Sequence, residues 1–252
     1  MKQIITIMIP ALILGRKGSK GFPGKNTFNI LGYPLAWYPM QAALQSQSIS
    51  EVFLSTDDPE LKKIAKDAGV SVIERPDYLC ADSALGEDAY KHGFIEIKNK
   101  YPEQTINIVV LLFCNAATIS PQTIEEGIDK LITDPTIDSA VTVSRYNMWS
   151  PLRARKLDND GLLKPFVPFE TFGDPATLNC DRDSQGDVLF ADMSCSIVRA
   201  SCLENTEDGL LPQKWMGQNI YPLLQEAGCD VDYEWQIPMV EWWLKKYGNN
   251  KA

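Results

Sequence analysis

An α/β architecture, with a mostly parallel sheet and helices on both faces, follows from three features of the sequence. Apolar, β-rich runs alternate with amphipathic helical patterns through roughly the first 145 residues. The strand-like runs, such as INIVVLL at Ile106–Leu112, are continuously apolar, as expected of strands buried on both faces. At 252 residues with 44% hydrophobic content, the chain can bury one large core and reads as a single domain over 1–252.

The first predicted element is a buried strand, Ile4–Leu14. A helix follows over Pro34–Ser46, with proline in its first turn. Glu51–Ser55 is the second strand. The helix Pro59–Ala68 places Leu61, Ile64, Ala65 and Ala68 on one face. A short strand Val70–Ile73, a helix Leu85–Lys98, the strand Ile106–Leu112, a helix Pro121–Ile132 and a strand Ser139–Ser144 complete the alternation. Residues 145–190 are rich in Pro, Gly, Asp and Arg and lack helical periodicity; they read as an excursion of hairpins and loops carrying oligomer contacts. Regular structure resumes with a strand at Cys195–Val198, a helix near Gln218–Ala227, a short strand Cys229–Val231 and a final helix Ile237–Lys246. The closing GNNKA is expected to be disordered.

Composition excludes several roles. The net charge of −9, with no basic stripe outside one loop, argues against a nucleic-acid polymer as partner. The six cysteines show no CxxC or zinc-like spacing and read as reduced, mostly buried thiols. The start, MKQIITIMIPALILG, mimics a signal peptide but has no small-x-small site, and Gly15-Arg16-Lys17 is basic where cleavage would occur. Its apolar run is also too short to span a bilayer. A cytoplasmic protein with no membrane segment is the expectation.

The loop after the first strand, ILGRKGSKGFPGKN (Ile13–Asn26), concentrates four glycines, one arginine and three lysines. In open parallel sheets, ligands sit beyond the carboxyl ends of the strands, where this loop lies. It is not a P-loop, because Ser19 stands where the first glycine would be and Asn26 where a magnesium-binding Ser or Thr would be. Its glycines still let backbone N–H groups approach oxygens, while Arg16, Lys20 and Lys25 neutralise charge. A small, multiply anionic ligand is the natural occupant; the alternative is a solvated surface loop.

Five ordered blocks carry a resemblance to the sugar-acid cytidylyltransferases, the family that makes CMP-activated sialic acids. They are Arg16-x-x-Ser19-Lys20-Gly21-x-Pro23-x-Lys25-Asn26, LGYPLAWYPMQAAL (Leu31–Leu44), STDD (Ser55–Asp58), RPDYLCADSA (Arg75–Ala84) and DVDYE (Asp230–Glu234). The resemblance implies a Rossmann-like nucleotidyltransferase sheet. It also implies that Arg16, Lys25 and Asn26 hold the CTP phosphates and ribose, with Arg16 and Lys25 the candidate catalytic cations. Ser19 and Lys20 would add phosphate contacts, and Arg75 with backbone near Ala84 would read cytosine. Asp230 and Asp232 are then the ligands of a catalytic Mg2+. The implied reaction moves CMP from CTP to the hydroxyl of an acidic sugar and releases pyrophosphate. A homodimer is implied too, with 145–190 reaching toward the partner.

These residue types suit that chemistry. Nucleotidyl transfer is mostly positioning and charge stabilisation. Magnesium takes one or two carboxylates plus phosphate and water oxygens. Two aspartates one residue apart at a strand end would project to the same side.

The acceptor half departs from the family. Where the family continues Gln-Pro-Thr-Ser-Pro-Leu-Arg after its third long strand, this chain reads FCNAATI (Phe113–Ile119). Phe190-Ala191-Asp192-Met193 stands in place of Arg-x-Asn-Gly, which leaves Asp192 as an acceptor candidate. SPLR (Ser150–Arg153) keeps a cation, Arg153, as another. The resemblance implies a sialic-acid-like or other ulosonic acid as acceptor, and the departures fit a different nonulosonic or ulosonic acid, or another hydroxylated acceptor, better than sialic acid itself.

Structural roles compete at several positions. Asp57 or Asp58 ahead of Pro59 reads as a helix cap. Asp82 reads either as a cap or as a site residue, His92 as a structural helix residue, and Trp242 and Trp243 as packing aromatics. Asp230-Val231-Asp232 has two other readings: a strand end, or the metal motif of a nucleotide-sugar glycosyltransferase. A non-catalytic nucleotide-binding homologue is the third functional alternative.

Overall fold

The computed structural model describes residues 6–18, 20–81, 83–183 and 186–248. Its centre is a seven-stranded sheet built from β1 (Pro10–Leu14), β2 (Glu51–Thr56), β3 (Ser71–Glu74), β4 (Ile108–Phe113), β5 (Ser139–Arg145), β6 (Leu189–Arg199) and β7 (Ile220–Gln225). Their spatial order is β7-β5-β6-β4-β1-β2-β3. Only β6 runs antiparallel to its neighbours; every other pairing is parallel. The expected mostly parallel sheet is present.

Alternate residues of the central strands feed two core layers. Ala11, Ile13, Leu54, Val110 and Leu112 meet α1 (Trp37–Leu44), α2 (Pro59–Ala68) and α4 (Pro121–Thr133) through Met40, Leu61, Ile124 and Ile128. On the other face Leu12, Leu14, Phe53, Val109 and Leu111 pack on Tyr90, Phe94 and Ile97 of α3 (Gly86–Lys100) and Leu203 of α5 (Ala200–Glu204). Side chains with a period of two, buried on both faces, explain the unbroken apolar runs. A third cluster joins Ile30, Leu35 and Ala117 to Cys229, Val231 and the inner face of α6 (Ile237–Tyr247).

Local signals explain the helix ends. Asp58 caps α2 by accepting from the Glu60 N–H at 2.8 Å, Pro59 opens the first turn, and Gly69 closes the helix at φ 80°. Ser120 caps α4 in the same way, accepting from the Thr123 N–H at 3.1 Å ahead of Pro121. The α3 helix begins at Gly86 with Leu85 at its cap position, while Asp82 lies outside the described residues. His92 is half-buried on α3. Trp243 packs in the third cluster, and Trp242 is exposed beneath the Lys246 ammonium.

Several expectations are corrected. The described part of the first strand divides: Thr6–Ile7 pairs with Gln104–Thr105, and only Pro10–Leu14 enters the main sheet. The first helix starts at Trp37, because Tyr33–Pro34 forms a small hairpin with Asn29–Ile30. The segment expected as a helix over Gln218–Ala227 is the edge strand β7. Pro222 would break a helix, but an edge strand tolerates it, and Tyr221 and Leu223 turn inward while Ile220, Pro222 and Leu224 face out. Cys195–Val198 is the second half of the longer β6, whose register shifts between Ala191 and Ser196. Cys229–Val231 joins no ladder. Residues 145–190 form a hairpin (Arg155–Leu157 with Leu163–Pro165) among short 3-10 turns, as expected. The segment 249–252 lies outside the described residues. No helix among the described residues is long and apolar enough to cross a membrane.

Helix α3 approaches the sheet closely at Gly93, where an added Cβ would lie 2.8 Å from Leu12 Cδ2 on the central strand. Gly93→Val is expected to lower the urea unfolding free energy by about 1–3 kcal/mol through overpacking. An unchanged urea midpoint would refute this account of the α3 packing.

Candidate active site

Loop 15–26 leaves the carboxyl end of β1 and runs along a cleft of about 460 Å³ at that edge of the sheet. Two contacts anchor its start. The Lys17 N–H donates to Asp57 Oδ1 at 2.9 Å, and the Arg16 guanidinium donates to the Cys80 carbonyl at 3.0 Å. The paired aspartates thus divide their tasks, Asp58 capping α2 and Asp57 holding the loop. Asn26 Nδ2 reaches back to the Arg16 carbonyl at 3.3 Å and ties the loop's ends together. Asn26 lines the cleft, and its Oδ1 is buried with no hydrogen-bond partner among the described residues.

The far wall comes from a segment two hundred residues later. Lys25 Nζ lies 2.6 Å from Asp232 Oδ1, joining the cationic loop to the aspartate turn. The backbones also approach closely: a Cβ on Gly21 would sit 2.5 Å from the Asp232 carbonyl oxygen, which is why this position is glycine.

The aspartates sit on an extended segment rather than at a strand end, and side chains of the loop after β4 hold that segment. The Val231 N–H donates to the Asn115 carbonyl at 2.8 Å, while Asn115 Nδ2 donates to the Val231 carbonyl at 3.0 Å and to Asp230 Oδ2 at 3.3 Å. Thr118 Oγ1 likewise accepts from the Cys229 N–H at 2.9 Å and donates to its carbonyl at 3.1 Å. Gln236 secures the turn beyond, accepting from the Asp232 and Tyr233 N–H groups at 2.7 and 2.8 Å and donating to the Asp230 carbonyl at 3.0 Å.

Arg75 is buried beneath the cleft, donating to Ser55 Oγ at 3.2 Å and to the Ser55 carbonyl at 2.6 Å; burial lowers its pKa from the usual arginine value. The cleft therefore brings together Arg16, Lys20, Lys25, Asn26, Arg75, Ala84 and Asp232, with Asp230 behind them on Asn115. Ser19 lies outside the described residues. The two acceptor candidates lie elsewhere. Arg153 belongs to the excursion, where it donates to the Cys180 carbonyl at 2.8 Å. Asp192 turns inward at the irregularity in β6 and accepts from Ser144 Oγ, Gln225 Nε2 and the Ser194 N–H at 2.8, 2.9 and 3.1 Å. Phe113 and Asn115, within FCNAATI, and Tyr233, within DVDYE, line the cleft although the sequence did not single them out, and Gln236, which holds the aspartate turn, lies in none of the quoted blocks. The first two stand at the carboxyl end of a long parallel strand, a position that by itself marks a cleft.

Asp230 carries an electrostatic burden. Burial first, and then repulsion from Asp232, raises its carboxyl pKa to about 6, with Lys25 and the Asn115 amide offsetting part of the rise. The folded protein thus holds this proton more tightly than the unfolded chain, so native stability rises as pH falls through about 6. In the ligand-free protein, Asp230→Asn is expected to stabilise the fold at high pH by about 1–3 kcal/mol. The gain should shrink as the pH is lowered through the native carboxyl's titration. Urea midpoints measured across that range check this, and a pH-independent difference would contradict it.

A model of the family described as cytidylyltransferase matches residues 10–150. The chain is 27% identical over 240 residues to N-acylneuraminate cytidylyltransferase of Oncorhynchus mykiss, covering 95% of this chain and 51% of that protein. It is 33% identical over 160 residues to CMP-N,N'-diacetyllegionaminic acid synthase of Legionella pneumophila, covering 62% of this chain and 66% of that one. The chain thus spans about half the length of the first relative and just under two thirds of the second. In fold it is similar to a CMP:2-keto-3-deoxy-manno-octonic acid synthetase solved with CTP, at a TM-score of 0.66 and 18% identity, covering 95% of this chain and 99% of that one. The family match runs from β1 into the start of the excursion, and both the cationic loop and Arg75 fall inside it; the chain belongs to the cytidylyltransferase family.

Proposed function

We propose that the protein transfers CMP from CTP to a hydroxyl of a sialic-acid-like or other ulosonic acid, releasing pyrophosphate. The observation that carries this reading is the Lys25–Asp232 contact, which sets a loop of cations against a pair of carboxylates across one cleft. Such a pairing suits a triphosphate accompanied by a divalent ion. The names of the related proteins point to the same substrate class.

In this reading the acceptor hydroxyl oxygen attacks the α-phosphorus, the bond to the bridging oxygen of the β-phosphate breaks, and pyrophosphate leaves with the negative charge. Arg16, Lys20 and Lys25 neutralise charge that grows on the leaving group. Asn26 Oδ1, buried without a partner among the described residues, accepts a ribose hydroxyl. Arg75 and the backbone around Ala84 bound the cytosine end of the cleft.

Magnesium suits the donor set. Among the described residues, no three His, Cys, Asp or Glu side chains converge to hold a metal unaided. Asp230 and Asp232 would supply two carboxylates, the usual protein share for this ion, and a cation beside them would offset the burial and mutual repulsion that raise the Asp230 pKa. Bound there, the ion would screen the phosphates and acidify the attacking hydroxyl.

We also infer a homodimer, formed through residues 145–190. Trp149, Leu157, Leu163 and Phe166 are exposed on this excursion, a concentration of apolar surface that a second copy would cover. A cytoplasmic setting suits the six unpaired cysteines.

The decisive experiment measures pyrophosphate release from CTP with N-acetylneuraminic acid, N,N'-diacetyllegionaminic acid and 2-keto-3-deoxy-manno-octonic acid. Turnover with at least one is expected; neither turnover nor CTP binding would overturn the proposal. Lys25→Ala should reduce kcat by roughly 10²–10³-fold, as for loss of one group that stabilises developing charge. Light scattering should return twice the chain mass, and a monomeric mass would refute the dimer.

A further inference from the structure

Asp192 is a buried carboxylate, 5% exposed, that the cleft chemistry does not use. From β6 it reaches Ser144 on the neighbouring strand β5 and Gln225 at the end of β7. Its Oδ2 accepts from Ser144 Oγ at 2.8 Å and from Gln225 Nε2 at 2.9 Å, while its Oδ1 accepts the Ser194 N–H at 3.1 Å. The backbone entering the aspartate segment lies directly against this carboxylate. A Cβ on Gly228 would sit 2.3 Å from Asp192 Oδ2, so the position takes glycine. Gly228 stands two residues before Asp230. The turn that leads there from β7 holds Ala227 in the left-handed region at φ 53°, a conformation that alanine keeps only under outside constraint.

Two routes of hydrogen bonds run from Asp192 to residues 228 and 229. In the first, Ser144 Oγ gives its hydrogen to Asp192 and accepts the Gly228 N–H at 2.8 Å. In the second, Gln225 Nε2 divides its two hydrogens between Asp192 Oδ2 and Ser194 Oγ, the latter at 3.1 Å. Ser194 Oγ lies 2.7 Å from Thr118 Oγ1. Thr118 has one hydroxyl hydrogen and gives it to the Cys229 carbonyl, so Ser194 is the donor in that contact. Every hydrogen along both routes then has a fixed direction, and Asp192, which only accepts, sets it. Gln225 cannot turn over, because its oxygen would face the carboxylate; that Oε1 stays buried without a partner among the described residues. The Tyr146 hydroxyl adds a further hold by donating to the Gly228 carbonyl at 2.8 Å.

We propose that Asp192 is a positioning residue for the metal site: through Ser144, Gln225, Ser194 and Thr118 it fixes residues 228 and 229, and so sets how Asp230 and Asp232 present their carboxylates. This inference rests on the reading of those two aspartates as magnesium ligands. Residues 229–231 join no strand ladder, so hydrogen bonds of fixed polarity do the work of one. Groups behind metal ligands govern affinity by fixing the ligands' orientation. A buried carboxylate is costly unless donors surround it, and here three do. Asparagine at this position would keep the shape and lose the polarity. In either orientation its amide would set an N–H against another donor.

The test compares the wild-type chain with Asp192→Asn, Ser144→Ala and Ser139→Ala. Ser139 is the control: it is buried at the other end of β5, where its hydroxyl donates to the Met216 carbonyl. Mn2+ affinity of the nucleotide-free protein is read from the electron paramagnetic resonance signal of the free ion. Amide hydrogen exchange is followed at Cys229 and Val231. Asp192→Asn and Ser144→Ala should each weaken Mn2+ binding by roughly tenfold, as for loss of a group that orients a metal ligand. Exchange at both amides should quicken in step. Ser139→Ala should leave both readings at their wild-type values. Should Asp192→Asn fail to fold, Ser144→Ala decides alone, since it keeps the carboxylate and removes its bridge to Gly228. Wild-type Mn2+ affinity in the folded variants would overturn the positioning role alone, as would an equal loss in Ser139→Ala. A wild-type chain that binds CTP but no Mn2+ would overturn the metal assignment, and the positioning role with it. One that binds neither would overturn the cytidylyl-transfer reading as well.

Discussion

Two side chains from the loop after β4, Asn115 and Thr118, hold the late aspartate segment against the sheet by making the hydrogen bonds a neighbouring strand would have made. The rest of the site depends on this substitution of side chain for ladder. Residues 229–231 have no strand partner, so their buried N–H and C=O groups would be orphaned without it. With it, Val231 packs into the third core cluster, Asp232 meets Lys25 of the cationic loop and Asp230 rests on the Asn115 amide. The two residues belong to the stretch Phe113–Ile119, which departs most from the resembled family.

Electrostatics explains why such firm support is needed. Two carboxylates one residue apart repel, and burial makes the inner one costlier to ionise. Lys25 relieves part of that repulsion from across the cleft, and the Asn115 amide relieves more. A protein selected only for stability would not keep this arrangement, since a neutral residue at position 230 would remove the strain. Locally unfavourable charge that the surrounding structure maintains is a common mark of a site shaped for a ligand of opposite sign.

Much of this was legible in the sequence where local chemistry decides the outcome. The α2 helix appears at its predicted bounds, and α4 and α6 start where expected, because aspartate, serine and proline mark their starts. The loop, Lys25 and the aspartates could be nominated because charge and glycine cluster there. Tertiary properties were not legible. Nothing local reveals that β6 runs antiparallel, since strand direction leaves no trace in an apolar run. The β7 segment reads as a helix from its sequence, and only its pairing with β5 makes it a strand. Asp192, an acceptor candidate by its place in the resembled motif, turns inward at an irregularity that is a property of strand pairing, not of the residue.

The anchoring of Lys17 to Asp57 has an evolutionary corollary. One end of the loop is fixed to the turn that begins α2, and the other is tied by Asn26 and by the backbone bond from Ala36 to Asn26 at 2.9 Å. Insertions or deletions between those two moorings can reshape what the loop embraces while the sheet and α2 stay in place, provided that a glycine still meets the Asp232 carbonyl. Length variation in descendants of this chain would therefore accumulate between residues 18 and 24, which makes that stretch the adjustable part of an otherwise fixed frame.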